Sequence, residues 1–131
     1  ERRTRLVRLR LLPRKTAHHF AHAISWALRT LPATMRRTIT YDNGPENIRH
    51  EQINAILGTR SYFCHPYSSW EKPGVEQCIG LLRKFIPKRT NLGYLSKHQL
   101  RYYQDLLNNR PRKCLGFRTP NEQYAEIALP G

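Results

Sequence analysis

The sequence is short of acid. Of its 131 residues only nine are Asp or Glu, against 23 Lys and Arg, which leaves a formal net charge of +14 with histidine neutral. Such an imbalance asks for an acidic partner, and nucleic acid comes before an anionic membrane. The chain also has no apolar run near the roughly 18 residues of a membrane-spanning helix, and no stretch shaped like the apolar core of a secretory signal. Cysteine is scarce. Cys64, Cys78 and Cys114 are odd in number and show neither a C-x-x-C pair nor zinc-ligand spacing, as expected of free thiols in a cytosolic protein. No internal repeat and no long linker interrupts the chain. With 39% hydrophobic residues it is neither a disordered tail nor a fibre, and residues 1–131 are expected to form one domain. It opens on Glu1-Arg2-Arg3 without methionine, directly before a strand-like segment, and reads as a piece of something longer.

What is present alternates between strand and helix patterns. Thr4 to Leu12 sets Leu6, Leu9, Leu11 and Leu12 against Arg5, Arg8 and Arg10, predicting a short strand with one basic face that stops at Pro13. Thr16 can cap a helix in which Ala17, Phe20, Ala21, Ile24, Ala27, Leu28 and Leu31 recur at three- and four-residue spacing, and which Pro32 ends. Its other face shows His18, His19 and His22, read as a solvated face. Thr38 to Tyr41 predicts a strand, and Asp42-Asn43-Gly44 a turn. A second helix is expected over Glu46 to Leu57, with Ile48, Ile53, Ile56 and Leu57 buried and Gly58 closing it. Ser61 to Cys64 reads as another strand and His65 to Gly74 as a loop. Val75, Ile79, Leu82 and Ile86 predict a third helix that ends before Pro87. Ser96-Lys97-His98-Gln99 and Thr119-Pro120-Asn121-Glu122 are capping boxes opening two further helices. Strands alternating with helices point to an α/β sheet.

The few acids are unevenly placed. Residues 1–41 carry ten Lys/Arg and one acid, and residues 77–131 carry ten and three; residues 42–76 carry three Lys/Arg and five acids. Asp42 falls at the carboxyl end of a predicted strand, where open α/β sheets collect ligands. Glu76 falls at the start of a helix, with 33 residues between it and Asp42. Both positions suit carboxylates that ligate magnesium, a hard cation taking one or two carboxylates and retaining waters that phosphates can replace. Two converging carboxylates without a cation would repel each other. Taken alone, however, a D-N-G is ordinarily a turn, and a first-turn glutamate ordinarily a favourable dipole contact.

The words around these acids carry more. Tyr41-Asp42-Asn43-Gly44-Pro45-Glu46, His50 and Leu57-Gly58 resemble the block around the second catalytic aspartate of DDE transposases and retroviral-type integrases. Tyr62 to Lys72, Glu76, Gly80 to Phe85 and Pro87-Lys88 resemble the block around their third carboxylate, and Asn108 to Pro120 resembles the tail of such domains. The likeness is narrowest to the IS30 family of bacterial insertion-sequence transposases and covers nearly the whole chain. It implies a ribonuclease-H-like mixed sheet flanked by helices, truncated at its N-terminus, with Asp42 and Glu76 as the second and third members of a catalytic triad that binds Mg2+ (Mn2+ as its substitute). The first aspartate of the family would lie upstream of Glu1, so the fragment alone is expected to be inactive. The implied reaction is cleavage of a DNA strand and transfer of its 3′-hydroxyl to target DNA. Double-stranded DNA, both transposon ends and target, would be the partner of a dimer or larger assembly in the bacterial cytoplasm at the nucleoid, with no membrane. The sequence departs from the pattern at Asn47, where Phe is expected, at Pro73, where Gly is, and at Gln77, where Asn is.

Lys72, Arg83, Lys84, Lys88 and Arg89 surround or follow Glu76 and are read as contacts to DNA phosphates. His65 is a candidate for orienting a phosphate or water, Tyr67 and Trp70 for stacking on an unpaired base, and Glu46 for a place near the metals; each also has an ordinary loop or helix role. Two alternatives use the same residues. One is a DNA-binding domain left by a decayed transposase, the other a ribonuclease-H-like nuclease.

Overall fold

The computed structural model describes residues 1–42, 44–64 and 73–128, with the side chains of Glu46 and Pro73 outside the description. The chain divides into two compact units, one formed by residues 10–72 and the other by residues 1–9 with 73–131.

In the first unit, helix α1 (Ala17–Leu28) starts where expected. The Thr16 hydroxyl accepts the His19 N–H at 3.2 Å, satisfying one of the unpaired donors of the first turn. Strand β1 (Thr38–Tyr41) is followed by a 3-10 turn (Pro45–Arg49), helix α2 (His50–Leu57) and strand β2 (Arg60–Phe63). The two strands pair in parallel, Thr38 with Arg60 through Tyr41 with Phe63. A parallel pair needs a crossover, and α2 supplies it. It ends at Gly58, whose φ of +71° is open to glycine at no steric cost and lets its N–H reach the Asn54 carbonyl at 2.8 Å.

Ala21 of α1, Tyr41 of β1, and Ile53 and Leu57 of α2 form the buried centre, with Phe20, Ile24, Leu28 and Ile39 packed against it. The apolar stripe of α1 therefore faces the core as its spacing predicted. The second predicted helix differs. Its first turn is 3-10, and Ile48 and Ile56 are 77% and 58% exposed. Ile48 lies in that 3-10 turn, before α2 begins, and within α2 the buried residues are Ile53 and Leu57, with Ile56 off their face.

The second unit is built on helix α4 (Lys97–Asn108), which touches α3 (Pro73–Leu82) and α5 (Pro120–Ala128). Both capping boxes are present. Ser96 and Gln99 exchange side-chain-to-backbone bonds at 3.1 and 2.9 Å, and Thr119 and Glu122 do so at 3.1 Å each way. Phe85 stacks on Tyr103 with centroids 5.4 Å apart, and Ile86 and Leu107 are buried nearby in sequence terms on either side of that pair.

The expected strand over Thr4 to Leu12 is absent; residues 5–12 have no regular structure. The reason is a substitute partner. The Asn108 amide accepts the Val7 N–H at 2.8 Å and donates to the Val7 carbonyl at 2.9 Å, and Gln104 accepts the Leu9 N–H at 2.8 Å. A buried side-chain amide thus offers the donor and acceptor that a neighbouring strand would have offered. Among the described residues the sheet has two strands, fewer than the mixed sheet the sequence resemblance implies. No helix of the described residues is long and apolar enough to cross a membrane.

Replacing Asn108 by Leu should destabilise the protein by about 1–3 kcal/mol, since Val7 loses both backbone partners; Ile53→Ala should cost about 2–5 kcal/mol by leaving a cavity. Both are read from urea unfolding. Burial pushes the Tyr41 phenol up to about 12 from its ordinary 10.0. The unfolded chain therefore loses that proton first, so the stabilisation is complete below pH 10.0 and fades as pH rises towards about 12. The Tyr41 hydroxyl is also buried without a hydrogen-bond partner. Tyr41→Phe should flatten the alkaline loss of stability while leaving neutral-pH stability equal or higher.

Candidate active site

Asp42 directly follows β1, at the carboxyl edge of the parallel pair, and is exposed. Its Oδ1 accepts the Gly44 N–H at 3.2 Å and the Asn47 side-chain amide at 2.8 Å; the same Asn47 Nδ2 donates to the Asp42 backbone carbonyl at 2.7 Å. One NH2 group thus holds both the carboxylate and the main chain of one residue. Asn47 is 3% exposed, and its own Oδ1 is buried without a partner among the described residues. The sequence marked Asn47 as the loss of an apolar anchor. The structure shows it as a polar clamp on the carboxylate instead, a role that the D-N-G-x-E wording does not disclose.

Beside this clamp, His50 Nδ1 pairs with the Ser61 hydroxyl at 2.9 Å, Asn54 donates to the same hydroxyl at 2.8 Å, and Thr59 donates to Asn54 at 2.8 Å. These bonds fix α2 to β2 from its first turn to its last. The His50 ring meets Phe63 edge-on with centroids 5.0 Å apart, and Phe63 stacks on Tyr41 at 5.5 Å. Gly44, Pro45, Asn47, Ile48, His50 and Phe63 line an open depression of about 290 Å³, next in sequence to Asp42 on one side and in β2 on the other. It is a half-apolar shelf with a polar rim, too open to enclose a small molecule.

Glu76 lies in the first turn of α3, exposed, and takes no hydrogen bond from the described residues. Near it in the same unit, the Arg5 guanidinium rests against Gly74; a Cβ at that glycine would stand 2.2 Å from Arg5 Nη1. Arg5 was not singled out in the sequence, because it was read as one residue of a strand. Arg83, Lys84, Lys88 and Arg89 are all exposed, with Arg83 Nη1 3.4 Å from the Ile86 carbonyl. Lys72, His65, Tyr67 and Trp70 lie outside the described residues, as does the Glu46 side chain. Val75 and Ile79, expected on the buried stripe of α3, are 45% and 46% exposed. Burial pushes the Cys78 thiol up, with Arg112 pulling the other way, which leaves it a poor nucleophile. Cys78 and Cys114 are free thiols. Among the described residues no three His, Cys, Asp or Glu side chains gather as a metal cluster.

The fold is that of a known class. The structure resembles the crystal structure of the catalytic core domain of BIV integrase, with a TM-score of 0.71 at 24% identity, over 95% of this chain and 80% of that one. In sequence the chain is 42% identical over 127 residues to the transposase for insertion sequence element IS4351 of Bacteroides fragilis, and 39% identical over 127 residues to the transposase for IS1086 of Cupriavidus metallidurans. It is also 41% identical over 93 residues to transposase InsI for insertion sequence element IS30A of Escherichia coli. The first two matches take in 97% of this chain but only 39% and 38% of the relatives, and the third takes in 71% of this chain and 24% of the relative. The chain therefore spans two fifths or less of the length of these relatives. No protein-family model matches it. The chain belongs to the superfamily of DDE transposase and retroviral-integrase catalytic domains, and has the α/β fold of that superfamily.

Removing the clamp tests this geometry. Asn47→Ala should lower stability by about 1–3 kcal/mol, and the Gly44 amide resonance should move, because the Asp42 carboxylate that accepts it is no longer held. An unchanged Gly44 signal would show that Asp42 is positioned by other bonds.

Proposed function

We propose that the chain is the part of an IS30-type transposase that carries the second and third catalytic carboxylates, and that the parent protein cuts DNA and transfers a 3′-hydroxyl end to target DNA. The observation that carries this is the identity of 42% over 127 residues to a bacterial insertion-sequence transposase. In this reading the two units act as one catalytic domain of ribonuclease-H type in the bacterial cytoplasm, at the nucleoid. Two copies or more bring two transposon ends together.

Asp42 and Glu76 would hold Mg2+, with Mn2+ able to replace it. The donor set fits: both are exposed carboxylates offering hard oxygens, and Asp42 is already held by two N–H donors. When bound, the ion would polarise a phosphodiester and stabilise the attacking and leaving oxygens. The protein's own contribution is positioning. Asn47 keeps the Asp42 carboxylate in one orientation, so less is lost in ordering it when DNA arrives. Lys72, Arg83, Lys84, Lys88 and Arg89 would take backbone phosphates, giving salt-dependent affinity without base preference.

The test uses the full-length parent protein on DNA carrying the element's ends, with magnesium. Asp42→Asn and Glu76→Gln are each expected to lower joined product on the order of 10³-fold while leaving DNA binding in place. DNA binding with no cutting by the wild type would instead support the second reading, a binding domain left by a decayed copy. Pro73 and Gln77, both departures from the expected pattern, favour that second reading. Cleavage confined to the RNA strand of a hybrid would support the nuclease.

A further inference from the structure

Helix α1 turns its apolar residues inward and leaves His18, His22, Trp26 and Arg29 exposed along its outer side. Trp26, 46% exposed, gathers two cations: the Arg29 guanidinium carbon stands 3.7 Å from its ring centroid and that of Arg10 stands 5.6 Å away. Neither guanidinium bonds a carboxylate among the described residues. Nor is there an acid to be recruited locally, for residues 2–41 contain ten Lys/Arg and no Asp or Glu. Two like charges drawn to one aromatic ring repel each other, and the ring's quadrupole offsets this only in part. An anion between or across them would remove the repulsion.

We propose that Arg10, Trp26 and Arg29 form a phosphate-binding site for the backbone of duplex DNA, additional to the cations around Glu76; it rests on the reading above that DNA is the partner. The indole acts as a platform. The Arg29 guanidinium carbon lies over it at 3.7 Å, and a planar five-donor guanidinium suits a phosphate's oxygens in a way a free lysine does not. The ring face is taken by Arg29 rather than left open for a base, so the site reads backbone charge and not sequence. Arg14 and Lys15, both exposed just before α1, extend the same positive stretch. A Trp with two arginines and no acid is therefore a contact surface for a polyanion.

The test is fluorescence anisotropy of a labelled 30-base-pair duplex with the 131-residue chain over a salt series. Arg10→Gln/Arg29→Gln should bind about tenfold more weakly near 0.1 M salt, and the slope of log affinity against log salt should flatten by about two. Arg29→Lys, which keeps the charge but gives up the planar stack, should fall between wild type and the double variant, and guards against a double variant that fails to fold. If the double variant binds with unchanged affinity and slope, the site is refuted and the proposed catalytic function is untouched. If wild type prefers polyglutamate to duplex, the site's partner is an acidic protein and the proposal fails on that ground. Duplex binding that disappears only in Lys84 and Lys88 variants would likewise overturn it.

Discussion

The parallel pairing of β1 with β2 is the constraint on which the candidate site depends. Because the strands run in one direction, their carboxyl ends share an edge, and the chain must return over the sheet through α2 before β2 can begin. Ile53, fully buried, holds that return in place against Tyr41, Leu57 and Ala21. Asp42 then has only one place to be: the first residue past the strand, where the chain turns away. Burial of apolar surface on one side of the strand thus decides where a carboxylate emerges on its end.

Hydrogen bonding refines what packing sets. The side-chain amide of Asn47 spends both hydrogens on Asp42, and the Ser61 hydroxyl ties His50 and Asn54 to the second strand. Asn108 does the same for the N-terminal segment in the other unit, standing in for a strand that is not there. Asn108 offers a donor and an acceptor in a plane, the pattern of a peptide group, whereas Asn47 only donates. A protein with so few acids uses neutral amides, rather than ion pairs, for these internal ties.

Much of this was legible in the sequence, for identifiable reasons. The three-and-four spacing from Ala17 to Leu28, the capping signals at Thr16, Ser96 and Thr119, the strands at Thr38 and near Ser61, and Gly58 after the second helix are local patterns with local causes. What failed was non-local. Leu6 and Leu9 alternate like a strand, but whether a strand forms depends on a neighbour, and the neighbour is a pair of helix side chains 95 and 101 residues away. Ile48 and Ile56 fit a helical stripe by spacing, yet Ile48 lies in the 3-10 turn before α2 and Ile56 off the face of Ile53 and Leu57. Of the candidate site, Asp42 and Glu76 were singled out from the words around them. The clamp by Asn47 was not, because the motif treats that position as apolar, and the Arg10–Trp26–Arg29 cluster was not, because Arg10 joins it from outside the helix.

The charge map has a consequence for chemistry. Exposed cations are spread through both units, while the acids that remain are concentrated between residues 42 and 76. A polyanion would be attracted broadly and repelled most where those carboxylates stand, and a divalent ion there would reduce that repulsion. The central proposal is that Asp42 and Glu76 are both metal ligands. Titrating the isotope-labelled chain with substoichiometric Mn2+ and following paramagnetic broadening of its amide signals tests it most directly. Broadening of Gly44 and of Val75 to Gln77 together, lost at both places in Asp42→Asn, is the result expected. Broadening at one carboxylate alone, or at neither, would contradict it.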